Sequence, residues 1–90
     1  MLAQRVLYRN YADYLYILNL NTSKSYVFEG IACDLMDYLS ETTNIDFEKI
    51  IAYVEENYEV ENPLQMREEI DKFINLLQSE NILIGGNNND

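Results

Sequence analysis

This chain of 90 residues has room for one small domain, and it carries a formal charge of −10, with six basic residues against sixteen acidic ones. Binding to nucleic acid or to an anionic membrane depends on Lys and Arg side chains, so this composition argues against both. The single cysteine excludes an internal disulfide, and no apolar run is long enough to span a membrane. With no apolar core of a signal peptide at the N-terminus, these features predict a cytoplasmic protein.

The charge is uneven along the chain. Residues 1–28 hold three basic residues against Asp13, a net charge of +2, so residues 29–90 carry the remaining −12. We expect most of these acids to lie on solvated helix faces, where they keep a small protein soluble.

Three strand-like segments come first, near residues 4–9, 14–20 and 24–29. The middle segment is apolar on both faces, which is typical of a central strand or of a strand covered on both sides. One face holds Tyr14, Tyr16, Leu18 and Leu20, and the other holds Leu15 and Ile17. Short polar side chains at residues 21–24 predict a turn before the third segment.

Two helices follow this sheet. Gly30 ends the third strand, and apolar residues at helical spacing predict a first helix over residues 31–40. Asp46 is a suitable N-cap for a second helix that ends near Asn57, because its carboxylate can accept from the N–H groups of the first turn.

The third helix has the clearest start signal. Asn62 can cap it, Pro63 suits the first helical position, and Gln65 predicts a capping box. Its apolar face holds Met66, Ile70, Phe73, Ile74 and Leu77, and Leu76 widens that face. Asn81 predicts the helix end, residues 82–84 are expected to fold back onto the core, and residues 85–90 predict a frayed tail.

The sequence lacks the residues that an enzyme or a metal site needs. No histidine is present, and Cys33 lies among apolar residues with no partner to activate it. The acid pairs 55–56 and 68–69 fall on the polar sides of the predicted helices, and no segment has the ligand spacing of a calcium loop. We therefore expect no catalysis, no metal and no cofactor.

The remaining functional feature is the edge of the sheet. An edge strand presents unpaired N–H and C=O groups, which either capture another peptide as an added strand or are solvated or covered by the chain itself. The pattern of residues alone leaves these alternatives open.

The order and spacing of several short motifs resemble the PqqD-like family, from about Leu15 to Ile84. The matching pieces are the turn and strand over residues 22–28, the start of helix two at residues 46–50, and the apolar positions of helix three. The chain departs from the family pattern at Ser23, Glu29, Met36 and Asn81, which leaves the subfamily open.

The resemblance implies an α+β, winged-helix-like domain of three antiparallel strands followed by three helices, over residues 1–84. It also implies a non-catalytic peptide chaperone for ribosomally made, modified peptides. Such a domain binds the leader region of a precursor peptide and presents it to a maturation enzyme (a radical SAM protein, a cyclase or a protease). The leader adds as a strand to the third strand, facing the third helix. The implied peptide-binding residues are Lys24, Ser25, Tyr26, Val27, Phe28, Glu69, Lys72, Phe73 and Leu76.

We also expect Lys24 and Lys72 to supply local positive charge that suits an acidic leader. Two rival interpretations are a winged-helix nucleic-acid binder and an acidic adaptor for an unrelated protein. The first needs a basic recognition helix, whereas the predicted second helix carries Lys49 against four acids at residues 46, 48, 55 and 56.

Overall fold

The computed structural model describes residues 1–84. Its three-stranded antiparallel sheet has the order β1-β2-β3, with β1 at Val6–Asn10, β2 at Tyr14–Asn19 and β3 at Lys24–Glu29. Three helices follow: α1 at Ile31–Glu41, α2 at Phe47–Asn57 and α3 at Pro63–Ser79. The predicted fold class and element order are confirmed, and β1 begins two residues later than expected. The predicted tail, residues 85–90, lies outside the described part of the chain.

The helices cover one face of the sheet. Leu15 and Ile17 of β2 point into the core, where they join the buried apolar face of α3 that the sequence predicted. Ile50, Ile51 and Val54 add the stripe from α2. Because all three helices lie on this side, the fold has one core layer and an opposite sheet face without a covering layer.

The chain ends close the core. Residues 82–84 fold back as predicted: the N–H of Ala3 donates to Ile82 over 2.9 Å, and Leu2 forms an isolated bridge with Leu83. Asn19 is the buried polar residue of this region. Its amide donates to the Glu80 carbonyl over 3.1 Å and accepts from the N–H of Asn21 over 2.9 Å, which ties the β2–β3 turn to the end of α3.

The helix ends follow the predicted caps with one exception. The Asp46 carboxylate accepts from the N–H groups of Glu48 and Lys49, and Asn81 takes the left-handed conformation with φ of 60°. Asn62 caps α3 by accepting from the N–H of Gln65, but the Gln65 side chain donates to Glu69 instead of returning to Asn62. The predicted capping box is therefore only half formed, because the i+4 carboxylate competes for the Gln65 amide.

The sequence predicts that β2 is either a central strand or a strand covered on both faces, and the structure shows the first of these. The strand is central, as predicted, but the face that holds Tyr14, Tyr16, Leu18 and Leu20 is exposed and is not covered by any described residue. No helix within residues 1–84 is both long and apolar enough to cross a bilayer.

Candidate peptide-binding groove

An open cavity of about 420 Å³ lies between the end of β3, the start of α1 and the inner side of α3. Most of its lining is apolar, with charged side chains from three positions. The lining residues are Phe28, Glu29, Gly30, Ile31, Ala32, Leu35, Met66, Glu69, Ile70, Lys72, Phe73 and Leu76. We call this cavity, together with the edge of β3 beside it, the groove.

Aromatic contacts hold the strand and the helix on either side of the groove. The rings of Phe28 and Phe73 meet edge to face, with centroids 4.9 Å apart. Tyr26 stacks on Phe28 with 6.4 Å between the ring centroids. Such pairs contribute about 0.5–1.5 kcal/mol beyond the area that they bury, so the Phe28–Phe73 pair stabilises the packing of α3 against β3.

Glu80, which follows α3, contacts two residues of β3 beside the cavity. Its carboxylate accepts a hydrogen bond from the Tyr26 hydroxyl over 2.7 Å, and the Lys24 ammonium lies 3.4 Å away. The hydrogen bond from Tyr26 and then that from Lys24 hold the pKa of Glu80 below its usual range. The same hydrogen bond raises the pKa of Tyr26.

The groove carries charges of both signs. Lys72 lines it, and among residues 1–84 the two ion pairs, Lys24–Glu80 and Arg67–Glu48, do not involve Lys72. Glu69 stands on the same stretch of α3 and accepts from Gln65. Because Glu80 already holds Lys24, the expected pair of positive charges is reduced to Lys72 alone.

The sequence comparison agrees with this geometry. Residues 15–83 match the family model described as Coenzyme PQQ synthesis protein D (PqqD). The chain belongs to the PqqD family. The matched span agrees with the span of the resemblance found in the sequence. A comparison with curated proteins finds no significant match.

A solved structure supports the fold of this PqqD-family chain. The structure of TbiB1 in complex with the TbiA(beta) leader peptide superimposes with a TM-score of 0.75, covering 99% of this chain and 98% of the other. The two sequences are 18% identical, so the similarity is one of fold. It extends over the whole sheet and all three helices.

The predicted binding residues of this PqqD-family chain divide into two groups. Five line the cavity, namely Phe28, Glu69, Lys72, Phe73 and Leu76. The other four lie on β3, where Lys24 and Tyr26 are on the groove side: the Tyr26 ring stacks on Phe28, and both Lys24 and Tyr26 contact Glu80. Ser25 and Val27 are exposed on the opposite face of the sheet, as the alternation of the strand predicted for Val27.

Sequence reasoning missed part of the lining of the cavity. Gly30, Ile31 and Ala32 line it from the β3–α1 junction, and Met66 and Ile70 line it from α3. The stripe of α3 already contained Met66 and Ile70, so their spacing from Phe73 was a usable signal. Whether the junction lines the cavity depends on the direction of α1 relative to the sheet, and no local sequence pattern predicts that direction.

Cys33 takes no part in the groove. It is buried in the core, and burial is the main cause that raises the pKa of its thiol. Within residues 1–84, no three Cys, Asp or Glu side chains lie close enough together to hold a metal ion.

Proposed function

We propose that this chain is a non-catalytic recognition domain, which binds the leader region of a precursor peptide by strand addition and presents it to a maturation enzyme. The observation that carries this proposal is the groove itself. An unpaired sheet edge lies directly beside an apolar cavity, and this combination is what an extended peptide needs for backbone pairing and side-chain anchoring. TbiB1, which shares this fold, is in complex with a leader peptide in its solved structure, and this supports leader binding by this chain.

The groove defines how such a peptide would bind. A leader strand pairs antiparallel with β3, and its backbone hydrogen bonds set the register. Because strand side chains alternate, every second leader residue points toward Phe73 and Leu76, and the others point to the outer face of the sheet. An apolar leader side chain would fill the cavity, with Lys72 available to a leader carboxylate.

The chemistry is assigned to a second protein. The thiol of Cys33 is buried and the chain contains no histidine, so we assign binding to this chain and catalysis to the maturation enzyme. The single cysteine and the acidic composition support a location in the cytoplasm, where precursor peptides are made.

Leader binding can be tested by titration with synthetic peptides encoded by short reading frames beside the gene. Leu76→Ala should weaken the complex about tenfold, because loss of a packed apolar anchor typically costs over 1 kcal/mol. Leu64→Ala is the matched control: it lies on the same helix, is 75% exposed and does not line the cavity. Affinity should be measured by isothermal titration calorimetry.

The position of the peptide can be checked by backbone amide shifts on adding leader. The shifts should concentrate in residues 24–29 and 66–80, on the two sides of the groove. If they cluster on α2 instead, or if the two leucine variants bind equally well, strand addition to β3 is the wrong model.

A further inference from the structure

The outer face of the sheet exposes several large apolar side chains that lie next to one another. Leu7 is 57% exposed, Val27 55%, Tyr16 46% and Leu18 37%. Tyr16 also contacts the rings of Tyr11 and Tyr14, with centroids 5.8 and 6.3 Å away. Contiguous apolar surface of this kind marks an interaction site, whereas scattered exposed residues do not. We call this surface the outer face.

The strand register arranges the outer face in rows. Leu7, Leu18 and Ser25 stand side by side across the three strands, and Arg9, Tyr16 and Val27 form the next row. These two rows surround an open depression of about 470 Å³, lined by residues of all three strands. The depression lies between the row of Leu7, Leu18 and Ser25 and the pair of Arg9 and Tyr16, and Val27 does not line it.

Arg9 gives the face its polarity. It is exposed on the edge strand β1, beside the apolar side chains of the outer face, and neither ion pair found among residues 1–84 includes it. Arg and Tyr are the residue types that most often dominate binding energy at protein interfaces. A partner that covers this face must offer apolar side chains with a carboxylate opposite Arg9, because a buried unpaired guanidinium is costly.

The charges argue for a different protein as the partner, and against a second copy. A second copy would have to supply a carboxylate opposite Arg9, but the row of Arg9, Tyr16 and Val27 contains none, and Glu29 lies in the next row, opposite Tyr14. An apolar surface on another protein, with a carboxylate opposite Arg9, supplies the partner group that the same row of a second copy lacks.

The outer face is continuous with the groove. Tyr26 and Phe28 belong to the groove side of β3, while Val27 lies between them on the outer face. A leader strand paired with β3 would extend the sheet, so its outward side chains would continue the row of Arg9, Tyr16 and Val27. A protein seated on the outer face would thus contact this domain and the bound leader together.

We infer that the outer face docks the maturation enzyme, through an apolar surface of that enzyme with a carboxylate opposite Arg9. This inference rests on the proposed function, and it separates two surfaces of one domain. The groove holds the leader, and the outer face holds the enzyme that acts on the rest of the precursor.

The test compares leader binding with delivery, using the modifying enzyme encoded beside the precursor gene as the probe. Arg9→Glu and Leu18→Ser change the outer face, and Leu7→Ser is a milder variant on the edge strand in case Leu18→Ser unfolds. All should keep wild-type leader affinity within about twofold, while affinity for the enzyme and conversion of the precursor fall at least about tenfold. Tyr53→Ser, which removes a similarly exposed aromatic ring from α2, should change none of these values.

Each outcome decides between models. Wild-type enzyme affinity and conversion in the outer-face variants would overturn the inference. So would a wild-type chain that sediments as a dimer and becomes monomeric on Leu18→Ser, because the occupant would then be a second copy. Enzyme affinity is also measured without leader, so that the two proposals can fail separately. A chain that binds the enzyme through the outer face but does not bind leader would overturn the proposed function and leave the docking face standing.

Discussion

Glu80 links three parts of the molecule through one residue. Its side chain holds Tyr26 and Lys24 of β3, and its carbonyl accepts from the buried amide of Asn19. The residue therefore connects the end of α3 to the strand that forms the groove. Asn81, the next residue, takes the left-handed conformation, and the turn that it forms at the end of α3 directs the Glu80 side chain toward β3.

The contribution of Glu80 to stability should depend on pH. Its pKa is lower in the folded chain than in the unfolded chain, where it is about 4.3, so its stabilising effect is complete above that pH. The effect is lost as the pH falls through the lower, folded value. The difference in unfolding free energy between wild type and Glu80→Gln should thus shrink on acidification, as measured by urea denaturation. Tyr26→Phe, which removes the main donor, should reduce this pH dependence; an unchanged dependence would contradict the assignment.

The junction between β3 and α1 depends on a conformation that favours glycine. Gly30 has φ of 75° and ψ of −137°, and this turn places the first residues of α1 in the lining of the cavity. A Cβ atom at Gly30 would meet nothing within 4 Å, so a substitution is opposed by backbone strain and not by a clash.

Gly30→Ala should therefore lower the free energy of unfolding by about 1–3 kcal/mol, the usual cost of such a conformation for an L-residue. A chain made by chemical ligation with D-Ala at this position is the matched control. For a D-residue these angles are ordinary extended backbone, so its urea midpoint should stay near that of wild type. Equal losses in both variants would point to a packing effect in place of strain.

Local patterns predicted most of the elements. Period-two alternation placed β3 without error, and the Asp46 and Asn62 caps placed the starts of α2 and α3, because these signals come from a few neighbouring residues. The burial of β2 was harder. Apolar residues on both faces fit a buried strand and a strand with an exposed interaction face equally well, and only the packing of the helices on one side distinguishes them.

Some residues of the groove could also be predicted, because their signals come from neighbouring positions in the sequence. Phe73 and Leu76 could be found because they follow the helical period of α3. The pairing of Lys24 with Glu80 could not, since it joins residues 56 positions apart through a turn that no local pattern describes. The contribution of the β3–α1 junction likewise required the position of α1 against the sheet.

At the scale of the whole molecule, charge follows the layers of the fold. The sheet layer, residues 1–29, carries +1, while the described helical layer, residues 30–84, carries −10 because Asp90 lies beyond it. The molecule is 19 Å across in its thinnest direction, and the Debye length is about 8 Å at physiological salt. The two faces therefore present separate fields to a partner, with repulsion concentrated among the acids of the helices.

Salt should stabilise this protein. Repulsion among the exposed acids of the helical layer favours the unfolded chain, in which the charges move apart, and added ions screen it. Raising NaCl from low concentration should therefore increase the unfolding free energy, by an amount on the order of 1 kcal/mol, the worth of a few exposed charge pairs. Urea midpoints across a salt series measure this effect. Replacing the exposed Glu56 by glutamine should raise stability at low salt and reduce the gain from NaCl. Stability that falls with salt would mean that the two ion pairs, Lys24–Glu80 and Arg67–Glu48, outweigh the repulsion.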